Sequence, residues 1–228
     1  MADHHLPGHP PVPLTVRRSA RARRISLRIS QLDGRVTLTM PNGVPERHAL
    51  EFAAEKEDWI RSHLDARQSN EMVDIGSTLP VEGVARHVEV GTGRNVVLSE
   101  QTLAVPGNSA PRRLERFLKE LARDRLAAAS DLYSARLGQS YARLSIRDTR
   151  SRWGSCSAQG GLMYSWRLIL APPPILQYVA AHEVAHLVEM NHSQAFWNLV
   201  EEIHGPYREQ RQWLRDEGAS LHRYRFDG

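Results

Sequence analysis

Cysteine is nearly absent: Cys156 is the one thiol in 228 residues. An intramolecular disulfide is therefore excluded, and a reducing, cytoplasmic setting is expected. Long apolar runs are also missing. No stretch of about eighteen apolar residues occurs, so no transmembrane helix is expected. The opening Met1 to Pro11 carries histidine and proline instead of an apolar core, which argues against a secretory leader and predicts a disordered tail over residues 1–15. His4, His5 and His9 in that tail are given no structural meaning. Charge of one sign is scarce too: 30 basic against 26 acidic side chains leave a net +4, too small an excess to demand a polyanionic partner. There is no internal repeat and no low-complexity linker, and the length suits one or two domains with a sizeable core.

What is present begins with short alternating segments. Arg24 to Ile29 and Val36 to Met40 flank Asp33-Gly34 and predict a hairpin with a type I′ turn. A helix is expected from about Pro45 to Leu64, then short strands at Thr78–Val81, His87–Val90, Val96–Leu98 and Leu103–Val105. These place a strand-rich subdomain with one helix over residues 16–108. A break at Pro106 to Pro111 precedes a long helical pattern through Leu114, Leu118, Leu121, Leu126 and Leu132, which opens a second domain over 109–228. Leu144–Arg147 and Leu162–Trp166 read as strands beside a helix that starts at Pro172-Pro173-Pro174. The fold class expected is α+β.

That last helix carries His182-Glu183-Val184-Ala185-His186. Side chains at i and i+4 share one helix face, so both imidazoles can reach one metal ion. Glu183 lies about 100° further round, suited to handling a water and not the metal. Two hydrogen-bonded core histidines would be the plain alternative, but that leaves Glu183 and the nearby His192 unexplained. A third ligand is needed for an open zinc site. Glu189 shares the face of His182 but lies about 10 Å along the axis, too far for bonds of roughly 2 Å. It reads as solvated or supporting. His192 can be reached only if the helix stops, and Asn191 is a residue able to end it in the left-handed conformation. Ser193 then caps a further helix with Phe196, Trp197, Val200 and Ile203 at helical spacing. Glu201 or Glu202 on that helix competes with His192, which is favoured because three imidazoles form a known open zinc site. Cys156 as a nucleophile beside a histidine ignores the metal spacing; a packed role is preferred.

The blocks Arg152-Trp153-Gly154-Ser155-Cys156 and Ser165-Trp166-Arg167-Leu168-Ile169-Leu170-Ala171-Pro172 belong in one picture with the His-Glu-x-x-His helix, Asn191-His192-Ser193 with Phe196-Trp197, and the closing Tyr207 and Trp213-Leu214. With the opening Arg17 to Arg28, they make the chain resemble the YgjP-like metallopeptidase family over residues 16 to 217, related in pattern to SprT-like proteases. The resemblance implies a zincin-like peptidase domain, with His182, His186 and His192 as ligands of one zinc ion and Glu183 as catalytic base. It also implies that an edge strand beside the site takes extended substrate through main-chain hydrogen bonds.

Three functions from different classes are open: a zinc peptidase acting on peptide or protein, a non-catalytic zinc protein, and a nucleic-acid-associated module with weak or regulated proteolysis. The third rests on Arg17, Arg18, Arg21, Arg23 and Arg24, which can neutralise phosphates but serve equally as a solvated strand edge. It is not favoured. Arg152, Tyr164, Arg167, His204 and Tyr207 are candidates for stabilising an oxyanion, and none is assigned.

Overall fold

The computed structural model describes residues 4–30, 33–65, 69–107 and 109–226. The chain divides into two compact units, Met1–Ser69 and Asn70–Gly228.

In the first unit, strands β1 (His4–Leu6), β2 (Val12–Arg18), β3 (Ser26–Ile29) and β4 (Val36–Met40) form a sheet of order β1-β2-β4-β3. Helices α1 (Glu46–Glu55) and α2 (Glu57–Asp65) come after it in the chain. The period-two pattern of β4 decides its facing: Val36, Leu38 and Met40 are buried, and Val36 and Leu38, with Leu6, Val12, Leu14 and Ile29, share a cluster with Ala53 and Ile60 of the helices. Three expectations change here. Residues from His4 onward are not a disordered tail, because β1 pairs antiparallel with β2, His4 opposite Leu14, and Leu6 is only 2% exposed. Arg61 fastens the connection, its guanidinium donating to the carbonyls of Pro7 and Pro10 at 2.8 and 3.0 Å. The β3–β4 pairing is present, but Ser30 N–H donates to Arg35 O, so the loop is longer than a two-residue turn at Asp33-Gly34. Residues 31 and 32 of that loop lie outside the described residues. The helix expected over 45–64 is split at Lys56, whose N–H closes a short turn onto Ala53 O at 3.2 Å.

The second unit opens with β5 (Glu71–Met72), β6 (Thr78–Val81), β7 (Val84–Gly91), β8 (Val97–Leu98) and β9 (Thr102–Pro106). The last four make a sheet of order β6-β7-β9-β8. Helix α3 (Ala110–Leu137) buries Leu114, Leu118, Ala122, Leu126, Ala129 and Tyr133 along one stripe and ends at Gly138, in the left-handed region. Next come β10 (Arg143–Arg147), β11 (Gly154–Cys156), β12 (Gly161–Ser165) and a 3₁₀ turn (Trp166–Leu170). Helices α4 (Pro173–Ala185), α5 (Gln194–His204) and α6 (Arg208–Asp216) lead to a second 3₁₀ turn and β13 (Tyr224–Arg225), which pairs parallel with β5.

The chain does not divide at the expected boundary of 108/109, because residues 70–107 belong to the second unit. Leu79, Val81, Val88, Leu103 and Val105 share one core with α3 and α4. The β6–β7 hairpin turns at Glu82 and Gly83, both at positive φ, as a type I′ turn requires. Its tip is pinned: Glu82 N–H donates to Ile169 O at 2.6 Å, its carboxylate pairs with Arg125 at 2.7 Å, and a Cβ on Gly83 would stand 2.9 Å from Pro172. The hairpin therefore braces the segment from which α4 starts.

The sheet β10-β12-β11 pairs β10 parallel and β11 antiparallel to β12, leaving β11 as an edge strand beside α4. Leu162 and Tyr164 face the core, while Arg143, Ser145, Arg147, Ser155 and Met163 share the opposite face by register. Among the described residues, no helix is long and apolar enough to cross a membrane.

Candidate metal centre

Helix α4 is apolar on almost every face, with Ile175, Leu176, Tyr178, Val179, Ala180, Ala181, Val184 and Ala185 buried. A helix of this kind lies within a core, and its polar residues need a specific reason to be there. The polar residues in its last turn are His182 and Glu183, and His186 is the C-terminal capping residue. The helix thus ends at Ala185, six residues before Asn191, the expected stop. Tight bonds do this: Leu187 N–H to Val184 O at 2.9 Å, and Val188 and Glu189 N–H to Ala185 O at 3.1 and 3.0 Å. Asn191 is not left-handed; among the described residues, the non-glycine positive-φ positions are Glu82 and Ser109.

The turn after α4 orients His186. Its Nδ1 lies 2.8 Å from Glu189 O, and a carbonyl only accepts, so Nδ1 carries the proton and Nε2 keeps a free lone pair. Glu189 therefore contributes its main chain to the site. Ser193 caps α5 as the sequence suggests, its Oγ accepting from Phe196 N–H at 3.3 Å. The chain between these points brings His192 Nε2 to 3.0 Å from His182 Nε2.

One ring nitrogen from each of His182, His186 and His192 lies within 4.8 Å of the others. Two zinc–nitrogen bonds of about 2.0–2.1 Å at a tetrahedral angle would separate their nitrogens by roughly 3.3 Å, so the spacing suits a shared metal. Burial holds His182 far below the usual histidine range, to about 3, with further lowering from His186, His192 and Arg211. Burial also lowers His186, against the opposing Glu189 hydrogen bond and with help from His192. Neutral imidazoles are what a metal requires of its ligands. Glu201 and Glu202 are exposed on α5 and take no part in this convergence.

Phe196 is the residue whose part in the site its helical spacing did not reveal. It is fully buried, and its ring centroid lies 4.9, 4.5 and 4.8 Å from those of His182, His186 and His192. His182 Nδ1 is buried without a hydrogen-bond partner among the described residues, so packing on Phe196 and Tyr178 sets that ring's orientation. The signal was in the sequence as the Asn191-His192-Ser193-x-x-Phe196-Trp197 block.

Glu183 is 5% exposed and stands against β11. A Cβ built on Gly154 would lie 2.6 Å from its Cγ and Oε1, closer than any side chain tolerates. Burial pushes the Glu183 carboxyl up to about 8, opposed by the Arg152 charge and a hydrogen bond from the Cys156 main chain. Beside it, burial and then the Glu183 charge raise the Cys156 thiol, which stays protonated and unsuited to nucleophilic attack. Arg152, Trp153, Gly154, Tyr178, His182 and Glu183 line a cavity of about 230 Å³.

The oxyanion candidates separate clearly. Arg167 is committed to structure: it grips Asp148 at 2.7 and 3.1 Å and the carbonyls of Leu221 and Tyr224. Tyr164 is fully buried on Ser130 Oγ at 3.0 Å. His204 packs its ring 6.0 Å from that of Tyr178. Tyr207 is stacked between Tyr178 and Trp197, at 6.0 and 5.1 Å. Arg152 lines the Glu183 cavity.

Residues 23–217 match the family described as YgjP-like, metallopeptidase domain. No curated protein matches the chain. Among solved structures, the crystal structure of the metallopeptidase zymogen of Pyrococcus abyssi abylysin is similar at 21% identity and a TM-score of 0.36, over 41% of this chain and 92% of that one.

Proposed function

The chain belongs to the YgjP-like metallopeptidase-domain family, and from that premise we propose that it is a zinc-dependent peptidase acting on peptide or protein substrates. The observation that carries this reading is the convergence of three imidazoles beside a cavity that also holds a buried carboxyl. His182, His186 and His192 would hold one zinc ion, leaving a coordination position open, whereas structural zinc usually takes four protein ligands. Bound there, zinc would supply Lewis acidity toward water and the scissile carbonyl.

The chain's own residues account for the proton traffic. Glu183 takes the proton of the attacking water on its carboxylate and returns it to the leaving amine. Its place supports this role, because the buried carboxyl lines the same cavity as His182. The Arg152 charge and the Cys156 N–H favour its ionised form against burial. The edge position of β11 supports binding of an extended peptide by main-chain hydrogen bonds. The single Cys156 suits a cytoplasmic setting.

The test is Glu183→Gln, which keeps size but removes the base. Turnover of a peptide that the wild type cleaves should fall by about a hundredfold to ten-thousandfold with zinc content unchanged. Full activity in zinc-loaded Glu183→Gln protein would remove the proposed mechanism.

A further inference from the structure

The outer face of the β10-β12-β11 sheet has no part in the peptidase reading, and its chemistry is distinctive. An open cavity of about 500 Å³ lies over it. Arg143 and Arg147 project from β10 and Arg152 from the loop before β11, around Ser145, Ser155 and Met163. Among the described residues, none of these three guanidinium groups is hydrogen-bonded or ion-paired to a protein group. The one carboxylate in the lining, Asp148, is already held by Arg167 through both oxygens at 2.7 and 3.1 Å. The cavity therefore presents Arg143 and Arg147 without a partner among the described residues, Arg152, whose charge also acts on Glu183, and several hydroxyls, and its lining holds no free anion.

Its position matters as much as its charge. Arg152 lines both this cavity and the smaller one that contains His182 and Glu183, and Ser155 belongs to the edge strand beside α4. A ligand seated here is thus next to the reacting centre.

We propose that this arginine-lined cavity is a substrate subsite for acidic side chains, so that the enzyme prefers peptides with Asp or Glu near the scissile bond. The proposal rests on the peptidase reading and adds the substrate class to it. Guanidinium groups bind carboxylates through paired N–H bonds, and serine hydroxyls can donate to the remaining lone pairs. Single-stranded nucleic acid is the other anion to consider. Its sites combine basic grooves with aromatic platforms for stacking bases, and no aromatic side chain lines this cavity. The volume suits a few side chains, not a phosphate track.

Binding can be measured without turnover, on full-length protein carrying Glu183→Gln. Two fluorescent decapeptides would differ only in three Asp against three Asn, and a labelled oligothymidine would serve as the third probe. The Asp peptide should bind more tightly, and added salt should erase the difference. In the Arg143→Gln/Arg147→Gln double variant, its affinity should fall by about tenfold, with the Asn peptide unaffected. Equal affinities for the two peptides, or an Asp-peptide affinity unchanged by the double variant, would overturn the subsite. So would oligothymidine binding that the double variant abolishes and the Asp peptide fails to displace. Failure of the peptidase reading shows separately, as cleavage of neither peptide by zinc-loaded wild type.

Discussion

Gly154→Ala asks whether the approach of β11 to α4 is what holds Glu183 in place. On backbone grounds alone the substitution should help. Gly154 is not among the positive-φ glycines, so alanine can adopt its conformation, and losing glycine's freedom in the unfolded chain stabilises by about 0.4–1 kcal/mol. The contact runs the other way. The new carbon would stand 2.6 Å from Glu183 Cγ and Oε1 and 2.8 Å from Cδ, about 1 Å inside ordinary contact. Glu183 cannot swing into solvent to relieve this, being 5% exposed at the end of a buried helix. Overpacking of this kind costs about 1–3 kcal/mol, which exceeds the backbone gain.

The net expectation is destabilisation by about 1–2 kcal/mol, read as a lower urea midpoint with unchanged slope. The kinetic effect should be larger. Displacing a catalytic group by about 1 Å can cost on the order of a hundredfold, and the loss should fall on kcat. Zinc content should persist, because the three atoms nearest the added carbon all belong to Glu183 and none to an imidazole. Wild-type kcat together with an unchanged urea midpoint would refute the reasoning. Loss of zinc would show that β11 supports the metal ligands and not Glu183 alone.

Two further outcomes are expected. His192→Ala should lower zinc content in elemental analysis, and Glu201→Ala and Glu202→Ala should not; the reverse pattern would move the third ligand onto α5. Burial, with Arg167, Arg150 and Arg225 aiding and Asp148 opposing, lowers His222 to about 4 in the folded protein, against an ordinary value near 6.5. The unfolded chain then binds the extra proton first, so the contribution of His222 to stability is complete above about pH 6.5 and is lost as the pH falls toward 4. The difference in unfolding free energy between wild type and His222→Gln should therefore vary across that window, and a flat difference would contradict the assignment.

What could be read from the sequence divides by the range of the interaction. The His182 to His186 spacing, the Ser193 cap and the stripe along α3 are local, and each is dictated by helix geometry within a few residues. Sequence and structure part where a distant contact decides. His4 to Leu14 looked like a tail because nothing in its composition shows that Arg61, far along the chain, ties it down. The segment Pro106 to Pro111 reads as a break, whereas residues 70–107 join the rest of the second unit through a shared core and through Glu82 and Gly83 at Ile169 and Pro172.

The same distinction explains why Arg152-Trp153-Gly154-Ser155-Cys156 was conspicuous as a motif and silent as chemistry. Its residues meet Glu183 only after β11 has paired with β12 and α4 has packed beside them. Each position then has a separate physical reason. Gly154 leaves room for the carboxyl, the Cys156 main chain donates to it, and the Arg152 charge opposes its protonation. Ser155, pointing to the opposite face by strand alternation, belongs instead to the arginine-lined cavity. One short strand thus serves the carboxyl with one face and lines the cavity for the proposed acidic subsite with the other. Changes at Gly154 should therefore register in kcat, while changes on the Arg143 and Arg147 side should register in peptide preference.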